Sequence, residues 1–284
     1  IVVRLVGSEM CIRDSTDTDD GTKLDVSFTF SEAMDTGTTP TVTFDPAVAS
    51  TLTNQSGAWQ SDGKTFKVQA TIADQGIDAN EVKIDITGAK DAAGNLQVDH
   101  TAVKGLEVDT LNPTASYASE VKNQNTNGAA NVASDADPVV AYTVTFSEPV
   151  AGIQASDIDV AGGALVASTL RLIEGGSKAT FDVQATDNSV ADLVVKVKDT
   201  VKDLNGNKLV ESSSAAVDVD TVNPGVTIED DQSGKSFDGD NTVAYKLTFT
   251  EGVQKIDATD LTVTGATVDT VVHTSGSNTA TVNV

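Results

Sequence analysis

The residues of this chain that can do chemistry are oxygen donors, and they stand at recurring positions. Carboxylates pair in Glu107-Val108-Asp109 and Asp218-Val219-Asp220, and single glutamates, Glu32, Glu148 and Glu251, each close a Thr-Phe-Ser/Thr-Glu block. Two loops read Asp91-Ala92-Ala93-Gly94-Asn95 and Asp203-Leu204-Asn205-Gly206-Asn207. Alternate residues of extended chain point the same way, so Glu107 and Asp109 can share a face, as can Asp218 and Asp220. Carboxylates and amides without basic partners suit Ca²⁺, which accepts about six to eight oxygens in flexible geometry. Mg²⁺ asks for a more rigid octahedron with more water, and Zn²⁺ asks for His or Cys. Asp and Asn also serve as plain turn formers, so solvated acidic loops are the alternative reading.

Other chemistries find little support. His100 and His273 fall at nonequivalent places in the repeat, and neither has a serine-and-acid constellation around it. Paired carboxylates of the glycosidase kind are compatible with so many acids. Their recurrence in every copy argues for a structural duty instead, and the expectation is that the protein is not an enzyme. Trp59, in Ser56-Gly57-Ala58-Trp59-Gln60, can either contact a sugar or pack over a sandwich edge; packing is the expectation. Eighteen Lys and Arg stand against 42 Asp and Glu, a net charge of −24. That balance argues against nucleic acid, whose phosphates need clustered basic residues, and against an anionic membrane surface. No apolar run reaches the roughly 18 to 20 residues that cross a bilayer, so no membrane insertion is expected of this segment. One cysteine, Cys11, allows no intramolecular disulfide.

The elements that must position these donors are strands. Val140, Tyr142, Val144 and Phe146 alternate with small or polar residues. The pattern returns in Val243, Tyr245, Leu247 and Phe249, and in Leu24, Val26, Phe28 and Phe30. A period of two with one apolar face marks half-buried strands. Further strands carry Phe181, Val183 and Ala185, then Leu193, Val195 and Val197. Gly, Asn, Asp and Ser clusters such as Glu174-Gly175-Gly176-Ser177 separate them, and no amphipathic helix of useful length intervenes. The block Asp109-Thr110-Leu111-Asn112-Pro113 recurs as Asp220-Thr221-Val222-Asn223-Pro224, 220 − 109 = 111 residues later. Ala179-Thr180-Phe181-Asp182-Val183 likewise returns as Ala280-Thr281-Val282-Asn283-Val284. Several blocks recurring in one order define tandem copies. Short strands in a unit of this size imply an all-β fold of Greek-key sandwiches.

The Asp-Thr-x-x-Pro openings, the Phe-Ser-Glu blocks and the Asp-x-x-Gly-Asn loops together resemble tandem bacterial immunoglobulin-like domains. Such domains belong to large surface and secreted proteins, including adhesins exported by type I secretion. The resemblance implies an extracellular or cell-surface location, with neighbouring repeats of the same chain as partners. It also implies a stalk that carries a distal module for a host-surface or glycan ligand. Two other roles are compatible: a glycan- or protein-binding module, and an accessory domain of a secreted hydrolase. Residues 1–15, IVVRLVGSEMCIRDS, match neither the repeats nor a signal peptide. They resemble translated adapter read-through, with a disordered terminus as the alternative. The expected domains are 16–109, without its first strand; 110–220, complete; and 221–284, without its last two strands.

In an immunoglobulin-like sandwich the second strand ends at the pole where the first begins, and the loop between the last two strands returns there. Glu148, Asp203, Asn205 and Asn207 are therefore expected to meet Glu107 and Asp109 of the incoming linker. The third copy keeps Asp218, Asp220 and Glu251 but lacks the last loop; the first keeps Glu32, Asp91 and Asn95 but lacks the linker. The strongest Ca²⁺ site is expected between domains one and two.

Overall fold

A computed structural model describes residues 2–5, 23–98, 103–122, 131–233, 235 and 242–284. Among them secondary structure is strand and short 3₁₀ turns, with no α-helix and no helix able to cross a membrane. Cys11 and His100 lie outside the described residues.

The middle copy shows how the sequence pattern becomes a sandwich. The first copy contains β1 (Val2–Leu5), β2 (Lys23–Thr29), β3 (Thr41–Asp45), β4 (Leu52–Trp59), β5 (Thr65–Ile72), β6 (Asp78–Thr87) and β7 (Val103–Asp109). The middle copy contains β8 (Ala115–Val121), β9 (Val132–Ser134), β10 (Val139–Phe146), β11 (Ile158–Ala161), β12 (Gly163–Ile173), β13 (Lys178–Ala185), β14 (Val194–Val197), β15 (Ser212–Ser213) and β16 (Asp218–Asp220). One middle sheet runs β8-β10-β13-β12 and the other β11-β14-β15, while β9 and β16 pair separately. Leaving out β9 and counting β8 as the first strand, these are the first, second, fifth and fourth strands against the third, sixth and seventh. That is the strand order of an immunoglobulin constant-type sandwich. The alternation read from β10 is realised: Val140, Tyr142, Val144 and Phe146 are all buried. Antiparallel register sets Tyr142 opposite Phe181, and their rings stack at 5.8 Å. Val195 and Val197 of the facing sheet close the same core.

The first copy repeats that order, β1-β2-β5-β4 against β3-β6-β7. In this copy Val2–Leu5 pairs antiparallel with β2, Val2 opposite Thr29 and Leu5 opposite Val26. A strand edge binds through backbone groups, so a segment unrelated to the repeat can complete it. The core gathers Phe28, Phe30, Phe66, Ile84 and Ile86. Trp59 packs between Phe30 and Phe66, at 5.5 and 5.2 Å, and its indole N–H donates to the Thr38 carbonyl at 2.8 Å. Both ends of the indole are thus occupied inside the domain.

The third copy contains β17 (Val226–Asp230), β18 (Ala244–Phe249), β19 (Thr270–His273) and β20 (Thr279–Asn283), in the order β17-β18-β20-β19. This is again the first-second-fifth-fourth sheet. Among the described residues its buried apolar set is Leu247, Ala280 and Val282. His273 of this copy is half-buried: its Nδ1 accepts the Ile256 N–H at 3.2 Å and its Nε2 lies 3.1 Å from the Ser277 carbonyl. By contact density the chain forms two compact units, 1–186 with 191–219, and 187–190 with 220–284.

Candidate metal centre

Each recurring motif has a local job, and those jobs assemble the site. In the Phe-Ser-Glu block Phe146 enters the core, while the Ser147 hydroxyl accepts the Thr114 N–H and the Ser147 N–H donates to the Thr114 carbonyl, both at 2.9 Å. The block thereby ties the end of β10 to the start of β8 and leaves Glu148 just past the strand. The third copy makes the same tie, with the Thr250 hydroxyl accepting the Gly225 N–H at 2.9 Å.

The Asp-x-x-Gly-Asn loop organises itself around its aspartate. Asp203 Oδ1 accepts the backbone N–H groups of Asn205, Gly206 and Asn207 at 2.8, 2.6 and 2.9 Å, and Oδ2 accepts the Asn207 amide at 2.8 Å. Gly206 sits at φ 104°, where a Cβ would be strained, which accounts for glycine there. Two amides of this loop then capture the linker. Asn205 Nδ2 donates to Asp109 Oδ2, and Asn207 Nδ2 donates to the Asp109 carbonyl at 3.2 Å. Asn207 is completely buried, so this is an internal staple between the linker and the last loop.

The result is one group of carboxylates: oxygens of Asp109, Glu148 and Asp203 all lie within 4.8 Å of one another. Asp109 and Asp203 are 4% and 3% exposed, and Glu148 is half-buried. None of the three has an ion-pair partner among the described residues. Glu148 Oε1 is buried and accepts no hydrogen bond, and the same holds for Asn112 Oδ1 in the adjoining linker. Burial, followed by the charges of Asp109, Asp203 and Asp78, pushes the Glu148 carboxyl up to about 7. Burial also raises Asp109; hydrogen bonds from Asn205 and the Leu111 N–H pull back, while Asp203 and Asp78 push the same way as burial. Carboxylates about 4 Å apart repel by roughly 4 kcal/mol at an effective dielectric near 20. A cation among them converts that repulsion into attraction, and an oxygen-only set excludes the sulfur and imidazole preferences of zinc.

The other named residues divide as follows. Asn205 and Asn207 join the site as donors to Asp109. Glu107 is half-buried on β7 and stands outside the carboxylate group, although alternation let it share a face with Asp109. In the first copy Glu32 and Asn95 are exposed, and Asp91 spends its oxygens on its own loop, accepting from the Ala93 and Asn95 N–H groups and the Asn95 amide at 2.9, 2.8 and 2.7 Å. Asp91 and Asn95 form a turn, and none of the three residues joins an acidic group of three among the described residues. Asp218 and Asp220 are exposed and Glu251 is half-buried, and none belongs to an acidic group of three among the described residues. Asp220 instead bonds the Val222 N–H at 3.3 Å, the turn that Asp109 makes with Leu111 at 3.1 Å.

One neighbour of the site was missed at the level of sequence. Asp78 lies directly opposite Asp109 in the β6–β7 register, a pairing no local pattern announces.

No protein-family description matches the chain, and no curated protein matches it. Solved structures align at low similarity. One marsupial T cell receptor structure aligns over 100% of this chain and 92% of its own, at 8% identity and a TM-score of 0.31. A second aligns over the same shares at 10% identity and a TM-score of 0.26. Surface layer protein SbsC, domains 1-6, aligns over 100% of this chain and 50% of its own, at 13% identity and a TM-score of 0.20. The sandwich assignment accordingly stands on the strand order of the sheets themselves.

Proposed function

We propose that this chain is a structural segment of an extracellular stalk, in which Ca²⁺ bound by Asp109, Glu148 and Asp203 stiffens the joint between the first two immunoglobulin-like domains. The observation that carries this reading is the meeting of three carboxylates from three separate elements, one of them holding a buried oxygen without a partner. Asp109 ends the last strand of the first domain, while Glu148 and Asp203 belong to loops of the second. A cation shared among them resists separation of the two domains. The role is mechanical and electrostatic, with no catalytic step. The excess acid outside the site keeps a long, disulfide-free array soluble and unassociated.

The test is a calcium titration of the chelator-treated chain, followed by melting temperature and small-angle scattering. Calcium is expected to raise the melting temperature of the first two domains and to narrow the distribution of their separations. Identical melting and scattering in calcium and in chelator would overturn the reading.

A further inference from the structure

The geometry points to Thr110 as the positioning residue of this site: its buried hydroxyl clamps the linker to the loop before β6 and so holds Asp109 among the carboxylates. The assignment rests on the reading of that site as a cation site. Thr110 is fully buried. Its N–H donates to the Ile77 carbonyl at 2.7 Å, and its hydroxyl accepts the Ile77 N–H at 3.1 Å and, more weakly, the Gln75 N–H at 3.4 Å. One threonine therefore satisfies both backbone groups of Ile77, whose neighbour Asp78 faces Asp109. Asp109 is left with little freedom. Thr110 anchors its C-terminal side, the pairing with Asp78 anchors its backbone, and Asn207 holds its carbonyl.

The second linker repeats the clamp without a carboxylate group. Thr221, 2% exposed, donates its N–H to the Ser189 carbonyl at 3.0 Å and accepts the Ser189 N–H on its hydroxyl at 2.9 Å. The clamp thus belongs to the Asp-Thr linker and is not a by-product of the acidic group. Residue 110 needs a hydroxyl acceptor. Valine keeps the shape and loses the acceptor, serine keeps the acceptor, and valine at 221 removes an equivalent clamp remote from the site in sequence.

The experiment uses the full chain and its variants Thr110→Val, Thr110→Ser and Thr221→Val. Calcium affinity is measured by calorimetry, and the water count of bound Eu³⁺ by luminescence lifetimes in H₂O and D₂O. Thr110→Val is expected to weaken calcium about ten-fold or more, because Asp109 loses the clamp on its C-terminal side, and to add at least one water to Eu³⁺. Thr110→Ser and Thr221→Val are expected to stay within about two-fold of the parent, with its water count. Parent-like affinity and hydration in Thr110→Val overturn the positioning role and leave the cation reading standing. Failure of the parent chain to bind either ion overturns that reading, and the assignment with it. If Thr110→Val does not fold, amide exchange of the parent in chelator decides: slow exchange at Ile77 and Thr110 supports the clamp, and free exchange overturns it.

Discussion

Glu148 concentrates the electrostatic cost of the site in one side chain. Its carboxyl titrates near 7 in the folded chain against an ordinary 4.5, chiefly because of burial. The folded state therefore binds more protons than the unfolded one between those values, and stability falls as pH rises through the window. Without metal, the protonated site at pH 4.5 is expected to be the more stable one by about 1–2 kcal/mol relative to pH 7.5, after discounting for partial exposure. Aspartates such as Asp91 and Asp62, whose carboxyls are held low by hydrogen bonds, act in the opposite sense at more acid pH. The difference between the parent and Glu148→Gln isolates the effect. In chelator, urea denaturation should show Glu148→Gln gaining stability over the parent as pH rises, while its calcium affinity at pH 7.5 drops ten-fold or more because one full charge has left the ligand set. Equal pH slopes for the two proteins would contradict this account.

At the scale of elements, loops of one sequence type behave differently according to burial. Asp203 and Asp91 hold the same kind of turn, yet Asp203 is buried and Asp91 partly exposed. Asp203→Ala leaves three backbone N–H groups without their acceptor, that of Asn207 buried and those of Asn205 and Gly206 half-buried, and should cost about 2–4 kcal/mol by chemical denaturation. Asp91→Ala should cost clearly less than Asp203→Ala, because water replaces the lost bonds. Within the middle sandwich Phe181 stacks on Tyr142 across paired strands, so Phe181→Ala should cost about 3–5 kcal/mol. A melting curve that ranks Asp91→Ala at or above Asp203→Ala would show that burial does not govern the loop.

Over the whole molecule, apolar burial is uneven. Among the described residues, the first and middle copies each gather a broad core around paired aromatic and branched residues, whereas the third buries Leu247, Ala280 and Val282. Ile228 on its first strand is 61% exposed. Each buried aliphatic side chain contributes on the order of 1.5–3 kcal/mol, so the third copy has the least to hold it against unfolding. Limited proteolysis is expected to cut residues 226–284 first, and differential scanning calorimetry to show that part melting below the rest. Calcium should shift the upper transition and leave the lower one in place, because the carboxylate group lies wholly outside 220–284. A calcium shift confined to the lower transition would place the ion elsewhere.

What the sequence determined alone is everything whose cause is local. Strand alternation was legible because side chains change face at every residue, and Val140 to Phe146 bury as their spacing required. The turn chemistry of Asp203 and Asp91 was legible because each aspartate bonds amides within four residues. The recurring linker marked Asp109, and strand order suggested which motifs share its pole. Tertiary structure decided the rest. Register across β6 and β7 brought in Asp78, packing buried Glu148, and internal hydrogen bonds withdrew Asp91 from any shared site. It also set Val2–Leu5 beside β2 and enclosed Trp59 between two rings. The division has one physical reason: a carboxylate's identity is written in the chain, but the number of other charges it meets, and the water it keeps, depend on contacts between residues far apart in sequence.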